Sequence, residues 1–439
     1  PAFNQFTGKE LTLQLANFDW LPMSLLGMAL LVGLISGSYP ALFLSRLRPA
    51  FILKSGARSG SSWFRQGLVV TQFALSIVMI VATIVVYDQM SYVRDKRLGF
   101  NEEQLVVVDI NSGGARNNFQ AIKTEMVRNQ AVHGVSVSSR VPGDWKNIAE
   151  VGVVPEAAPE TEIHTLNLIA IDEDFMNVFE VELVEGRNFS AEFPTDTNAV
   201  ILNETAAKAF GWDSPLGKII RVPDDNFQAR VIGIVKDFHF RSLHEKIGPL
   251  VLAHWNNPVD RIDYFTARIS GEDIPGTLEH LQNVHEQFDQ VTPFEYNFLY
   301  ERLKDFYRTD QRLGTLFGIA AGLAVFVACL GLFGMAAYST EQRRKEIGVR
   351  KVLGASAPKV ILLLSKDFTK LVVLALIAAS PVAYYFMNRW LQDFAYRVNI
   401  NLGVFALAGF LALAIAWLTV GYQAIKAALA NPVDSLRYE

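Results

Sequence analysis

Cysteine is almost absent: Cys329 is the only one among 439 residues. That excludes an internal disulfide framework and makes redox chemistry an unpromising reading. The residue lies inside a long uncharged stretch, where it serves as a small apolar filler. Nucleotide signatures are missing as well. The nearest approach to a phosphate loop, Gly211 through Lys218, has the wrong spacing and runs into Ile219 rather than Ser or Thr. His239 and His244 are five residues apart, whereas helical metal pairs sit at four, and no cysteine supports them. No Ser–His–Asp arrangement can be assembled with any specificity. The chain is therefore expected to be non-catalytic, with no metal or cofactor of its own.

Charge is also missing where it matters for a membrane. Five stretches carry none: Leu21 to Ser45, Gln66 to Tyr87, Leu313 to Thr340, Leu371 to Asn388 and Val398 to Ile425. A hydrocarbon core about 30 Å thick needs roughly 20 helical residues. Backbone polar groups in lipid must be satisfied within the segment, so each stretch reads as a spanning helix. The fourth is short and is expected to begin near Pro358, with Lys366 and Asp367 close to the interface. The absence of ionisable residues from the stretches argues against proton-driven transport and against a selective ion pathway.

The charges that are present divide sharply. Residues 91–311 hold 35 acidic and 21 basic side chains, a net 21 − 35 = −14. The remainder holds 9 acidic and 19 basic ones, a net +10. Short basic loops stay in the cytoplasm. The loop after the first span carries Arg46, Arg48, Lys54, Arg58 and Arg65, and the loop after the third carries Arg343, Arg344, Lys345, Arg350, Lys351 and Lys359. With five spans these loops and the tail containing Lys426 and Arg437 share one side. The acidic segment then lies outside.

A short internal repeat accompanies this layout. Tyr39-Pro40-Ala41 is followed by Pro49 and Leu53-Lys54, and Tyr422-Gln423-Ala424 by Pro432 and Leu436-Arg437 at identical spacing. The chain begins with Pro and is expected to be part of a longer one. The expected organisation is residues 1–57 as the last span and tail of a first unit, and 58–98 as a span and stalk. Residues 99–305 form an outer domain, and 306–439 form three spans with a cytoplasmic segment at 340–355.

The outer domain reads as α+β. Val106 to Ile110, Val135 to Ser139, Tyr264 to Ile269 and Phe294 to Leu299 are expected strands. Asn117 to Asn129 is an amphipathic helix, and a second helix follows the Asp273 cap and Pro275. These elements flank a middle section with strands at Ile169 to Asp172, Val200 to Asn203 and Arg230 to Val235, and a helix at Glu204 to Phe210. One lobe is thus built from both ends, with a second inserted. Leu303, Phe306, Asp310 and Leu313 recur at three- and four-residue steps, as in a stalk running into the third span. Such a stalk can carry motion or merely tether a domain.

Between the third and fourth spans lies a charged helix, Glu341 to Ala355, with Gly354 as terminator; Ser356 and Pro358 then open the next helix. This stretch is either an ordinary basic loop or a helix that docks on a partner by charge and a ridge of Ile347, Val349 and Leu353.

The Glu341 to Ala355 run resembles the cytoplasmic motif of FtsX-like (MacB-type) ABC permeases. The outer segment resembles the MacB periplasmic core domain through four ordered blocks: Phe175 to Phe189 with its Gly186-Arg187-Asn188-Phe189 ending, Asn203-Glu204, Pro215-Leu216-Gly217-Lys218, and Val231 to Phe238. The doubled layout with Val235-Lys236-Asp237-Phe238-His239 resembles long permeases of Bacteroidetes-type bacteria. The resemblance implies a permease subunit served by a separate cytoplasmic ABC ATPase dimer, which would hold ATP and magnesium. A coupling helix would include Glu341, Arg343, Arg344, Glu346, Ile347, Gly348, Arg350, Lys351 and Gly354. It also implies a periplasmic or outer-membrane partner, no nucleic acid, and either a pseudo-dimer by duplication or a homodimer. The implied work is export or lipoprotein and peptide handling by mechanotransmission. The alternative is a ligand-sensing or cell-envelope regulatory protein, such as one controlling a hydrolase, that translocates nothing.

Overall fold

The computed structural model describes residues 21–45, 62–143, 147–343, 346, 349, 350, 353 and 356–429. Its helices are α1 (Leu21–Ser45), α2 (Ser62–Arg94), α3 (Gly113–Asn117), α4 (Phe119–Met126), α5 (Phe175–Phe179), α6 (Glu204–Ala209), α7 (Ile274–Phe288), α8 (Leu299–Phe306), α9 (Arg308–Gln342), α10 (Ala357–Leu391) and α11 (Leu402–Leu429). The strands are β1 (Leu105–Asp109), β2 (Val132–Ser138), β3 (Ala149–Pro155), β4 (His164–Ile171), β5 (Leu183–Gly186), β6 (Ala199–Asn203), β7 (Ile219–Val222), β8 (Phe227–Val235), β9 (Leu250–His254), β10 (Tyr264–Ile269) and β11 (Tyr296–Phe298). Contacts divide the chain into a helical unit (residues 1–84, 312–385 and 401–439) and a β-rich unit (residues 85–311 and 386–400).

In the helical unit the five expected spans appear as four long apolar helices, within α2, α9, α10 and α11, and the shorter apolar stretch Met23–Leu34 of α1. α10 starts at Ala357, directly after Ser356 and well before the uncharged part of the fourth span. Lipid tails are as apolar as leucine, so packing rather than hydrophobicity brings such helices together. The buried positions obey that rule. α11 buries Val404, Ala408, Ala412, Ala416 and Val420, all four apart, and α10 buries Ala375, Ala379 and Ala383 at the same step. Small side chains let the backbones approach. A Cβ on Gly409 of α11 would lie 2.6 Å from Leu376 of α10, and one on Gly331 of α9 would lie 2.7 Å from Gln72 of α2. By contrast, the side chains of α1 from Met23 to Leu34 are exposed. Of the repeat residues, Tyr39 to Ala41 fall in α1 and Tyr422 to Ala424 in α11, whereas Pro49, Leu53, Lys54, Pro432, Leu436 and Arg437 lie outside the described residues.

The β-rich unit has the two lobes expected from the sequence. Strands β11-β1-β10-β2 form an antiparallel sheet from both ends of the outer segment. Alternation splits β1 between two cores: Val106 and Val108 meet Ile122 and Met126 of α4 and Leu281 of α7, while Leu105 and Val107 join Phe175, Phe179 and Tyr264 on the other face. Both faces of β1 are buried, which explains its unbroken apolar run. The inserted lobe is a closed barrel. Its strands pair around the ring β4-β3-β7-β8-β6-β9, and β9 returns in parallel to β4 with Asn167 opposite Leu250 and Ile171 opposite His254. Val153, Leu168, Leu202, Ile220 and Val251 fill its interior. β5 adds to β8 outside the ring.

Several boundaries differ from expectation. The amphipathic helix expected at Asn117 to Asn129 is the shorter α4, Phe119–Met126; Asn118, whose side chain donates to the Gly114 carbonyl at 3.0 Å, separates it from α3. The last strand stops at Phe298, because Leu299 already opens α8. The stalk is not one helix either: α8 ends at Phe306 and α9 begins at Arg308, with Tyr307 as a one-residue joint. The Tyr307 hydroxyl accepts a hydrogen bond from the Leu243 N–H at 3.0 Å, holding this residue against a loop of the outer domain.

Candidate coupling segment and outer motifs

α9 continues to Gln342, so Glu341 belongs to the last turn of a spanning helix and not to a separate short one. Arg343 follows in a turn, and its guanidinium meets Asp367 of α10 at 3.0 Å. Glu346 and Arg350 pair at 2.7 Å, one helical turn apart. The Leu353 N–H donates to the Val349 carbonyl at 3.0 Å. Val349 is 49% and Leu353 80% exposed. Four residues apart, they present one apolar edge beside the Glu346–Arg350 pair. Arg344, Ile347, Gly348, Lys351 and Gly354 lie outside the described residues. Sequence reasoning missed Asp367 as the anchor of this segment; its place one helix away gives no local signal.

The four outer blocks have architectural roles. Gly186 adopts φ +81°, and a Cβ on it would lie 2.3 Å from the Ile232 carbonyl oxygen. Arg187 makes a two-pronged pair with Asp196, both bonds 2.7 Å, and lies 4.5 Å over the Phe193 ring. Burial pushes the Asp196 carboxyl up, but Arg187 and the Ser190 N–H outweigh it and hold its pKa below the usual carboxylate value. Phe189 is buried in the larger core. Asn203 caps α6: its side-chain oxygen accepts from the Ala206 and Leu250 N–H groups, both at 2.9 Å. Asp237 accepts from the Thr205 N–H at 3.0 Å and its hydroxyl at 2.7 Å. Gly217 makes a positive-φ turn before β7.

A third cluster lies where α2, α8, α9 and the α10–α11 loop meet within the β-rich unit. Gln89 of α2 is fully buried; its amide nitrogen donates to the Tyr396 carbonyl at 2.8 Å and its oxygen accepts from the Val398 N–H at 2.9 Å. Val93, Leu243 and Phe394 form an apolar knot beside it. The ring of His244 stacks on Phe394 at 4.1 Å and approaches the Asp310 carboxylate at 3.4 Å. The bond to Asp310 raises the His244 pKa against the effect of burial, helped by the Asp393 carbonyl. His239, nearby in sequence, is buried against Tyr396, and burial together with Lys96 lowers its pKa to about 4 despite Asp237. The two histidines are thus not a metal pair: each has its own neighbours. Among the described residues no group of three His, Cys, Asp or Glu side chains is placed to hold a metal.

The signs of these shifts are opposite. His244 contributes stability that is fully present below the ordinary imidazole value of about 6.5 and is lost as pH rises through its raised folded value. His239 contributes stability present above about 6.5 and lost as pH falls toward 4. Replacing His244 by Gln is therefore expected to cost the cluster more at pH 6 than at pH 8, with His239 unchanged in both proteins. Hydrogen exchange of the segments around Leu243 and Phe394 reads the difference. Equal losses at the two pH values would remove the charged contact from this account.

Two family models match in order: the MacB-like periplasmic core domain over residues 68–283 and the FtsX-like permease C-terminal region over 318–432. The chain belongs to the MacB/FtsX-type ABC-transporter permeases. It is 27% identical over 259 residues to the macrolide export ATP-binding/permease protein MacB of Bdellovibrio bacteriovorus, covering 55% of this chain and 39% of that one. Against MacB of Chromobacterium violaceum identity is 26% over 336 residues, covering 69% and 50%. The ABC transporter permease YknZ of Bacillus subtilis is 23% identical over 299 residues, covering 61% and 69%. The chain spans half or less of the length of these MacB relatives. Among solved structures it is similar to the periplasmic region of MacB from Actinobacillus actinomycetemcomitans, with TM-score 0.34 and 18% identity over 47% of this chain and 94% of that one. The permease is a multi-pass protein of the bacterial inner membrane whose β-rich unit is a MacB-like extracytoplasmic domain.

Proposed function

We propose that this permease converts closure of a separate cytoplasmic ABC ATPase dimer into motion of its extracytoplasmic domain, for export or for lipoprotein or peptide handling. The coupling segment at 340–355 is the docking point, and residues 1–57 are the end of a first permease unit, so that a duplicated parent chain supplies both halves of a pseudo-dimer. The observation that carries the reading is the continuity of α9. One helix runs from Arg308, next to the Tyr307 joint, to Gln342, next to Arg343 and its Asp367 anchor. A helix of 35 residues is about 52 Å long at 1.5 Å per residue. Its side chains facing the lipid carry no charge for substrate or ions, which favours transmission over a polar pathway. The exposed Val349 and Leu353, next to a paired acid and base, suit a groove on a soluble partner.

The test is co-purification of the intact parent protein with its ATPase. Glu346→Ala, Arg350→Ala and Leu353→Asp together are expected to weaken the complex at least about tenfold, or about 1.4 kcal/mol, and to abolish stimulation of ATP hydrolysis. Val291→Ser, at an outer position 89% exposed, serves as the control that leaves both intact. Unchanged binding and stimulation in the triple variant would discard the assigned segment.

A further inference from the structure

The helical unit carries a groove of about 990 Å³ along α10, closed on one side by Trp417 of α11. Its lining is graded. Leu362 and Ser365 open it near the cytoplasmic start of α10, Lys366 and Lys370 follow, and Val373, Leu374 and Ile377 continue it with no polar group. At 1.5 Å per residue, Lys366 and Ile377 are about 16 Å apart along the axis, close to the reach of an acyl chain. Leu374 and Ile377 are 54% and 65% exposed, so the apolar part opens outward.

The Trp417 indole N–H donates to the Thr369 hydroxyl at 3.0 Å, holding the ring along the groove. The electrostatic balance at the basic end is positive. Asp367, beside them, is taken by Arg343 at 3.0 Å and touches Lys370 only at 3.8 Å. Among the described residues Lys366 has no carboxylate within ion-pair distance. Basic pockets between spanning helices on the cytoplasmic side suit anionic lipid headgroups, and tryptophan belongs at that depth.

We propose that this groove is a binding site for one anionic glycerophospholipid of the cytoplasmic leaflet. The phosphate lies between Lys366 and Lys370, and an acyl chain runs over Trp417 toward Ile377. The occupant is a lipid and not a second copy of the chain, because two lysines in the cytoplasmic half and bare hydrocarbon from Val373 to Ile377 match a headgroup and tail. The site adjoins Asp367, which anchors Arg343, so an occupied groove sets the charge around the start of the coupling segment.

The test uses the full chain in nanodiscs, with the emission of Trp417 isolated as the difference between the parent and Trp417→Phe. Acyl-brominated phosphatidylglycerol or acyl-brominated phosphatidylcholine is added at the same low mole fraction. The phosphatidylglycerol is expected to quench Trp417 at roughly tenfold lower mole fraction, two basic residues each favouring an anionic surface severalfold. Lys366→Gln with Lys370→Gln is expected to erase the preference, and Lys366→Arg with Lys370→Arg to keep it. Equal quenching by both lipids means ordinary bilayer contact and overturns the proposal. Protection of Trp417 from both means that protein covers the groove, and overturns it equally.

Discussion

Gly186→Ala is expected to be among the most damaging single substitutions in the extracytoplasmic domain, costing about 3–5 kcal/mol. Two effects add. The residue has φ +81°, where an L side chain is strained by about 1 kcal/mol or more. The larger effect is steric: a Cβ there would lie 2.3 Å from the Ile232 carbonyl oxygen and 2.9 Å from the Gly233 Cα. Both obstacles are backbone, so no rotamer change relieves them. Gly233 faces the same constraint, with the Arg187 carbonyl oxygen 2.5 Å from where its Cβ would be. The two glycines thus let β5 lie flush on β8. Gly211 supplies the comparison. It also has positive φ, at +64°, but nothing lies within 4 Å of a Cβ there. Gly211→Ala should cost only about 1 kcal/mol. Thermal unfolding of the full chain separates the two, and similar losses at both positions would show that conformation, not contact, sets the requirement for glycine.

Asp172→Ala is expected to have a comparable effect, about 3–5 kcal/mol, through electrostatics. Asp172 ends β4, has a side chain 1% exposed, and accepts from Lys123 of α4 and from the Ser136 hydroxyl of β2 at 2.6 Å. At this edge Ser138 pairs with Ile171 and the Ser139 N–H donates to the Ala170 carbonyl at 2.8 Å, and the Asp172 carboxylate adds its bonds to these. Removing it leaves Lys123, 14% exposed, with only Asp174 at 2.5 Å. For a unit of this size a drop in Tm of roughly 10 °C should follow. Lys123→Met together with Asp172→Leu should recover most of the loss, since replacing a buried pair by apolar groups is often neutral. A double variant as unstable as Asp172→Ala alone would show that the cost comes from packing.

Much of this was legible because it rests on local rules. The helix after β10 begins where Asp273 and Pro275 say it should: the Asp273 carboxylate accepts from the Gly276 N–H at 3.1 Å. The candidate coupling segment was legible as a charged run between two spans, but its anchor was not. Arg343 selects Asp367, 24 positions on, and that choice is made by the packing of α9 against α10. The histidines show the same limit: their five-residue spacing spoke against a metal pair, but only tertiary contacts send one to Tyr396 and the other to Asp310.

Hydropathy and charge alone determined the spanning helices, their orientation and the outer position of the acidic segment, because the transfer of a side chain between water and lipid depends mainly on that side chain. Only the tertiary structure decided that the inserted lobe closes into a barrel and that the stalk is held at Tyr307. β9 is buried along its whole length, so its apolar run shows no period, and β3 and β7 are short runs interrupted by Glu150 and Arg221. Closure depends on β4 meeting β9 some 80 residues away, and the hold on the stalk depends on Tyr307 meeting Leu243, 64 positions earlier. Pairings of that kind are properties of the assembled chain, and no window of neighbouring residues contains them.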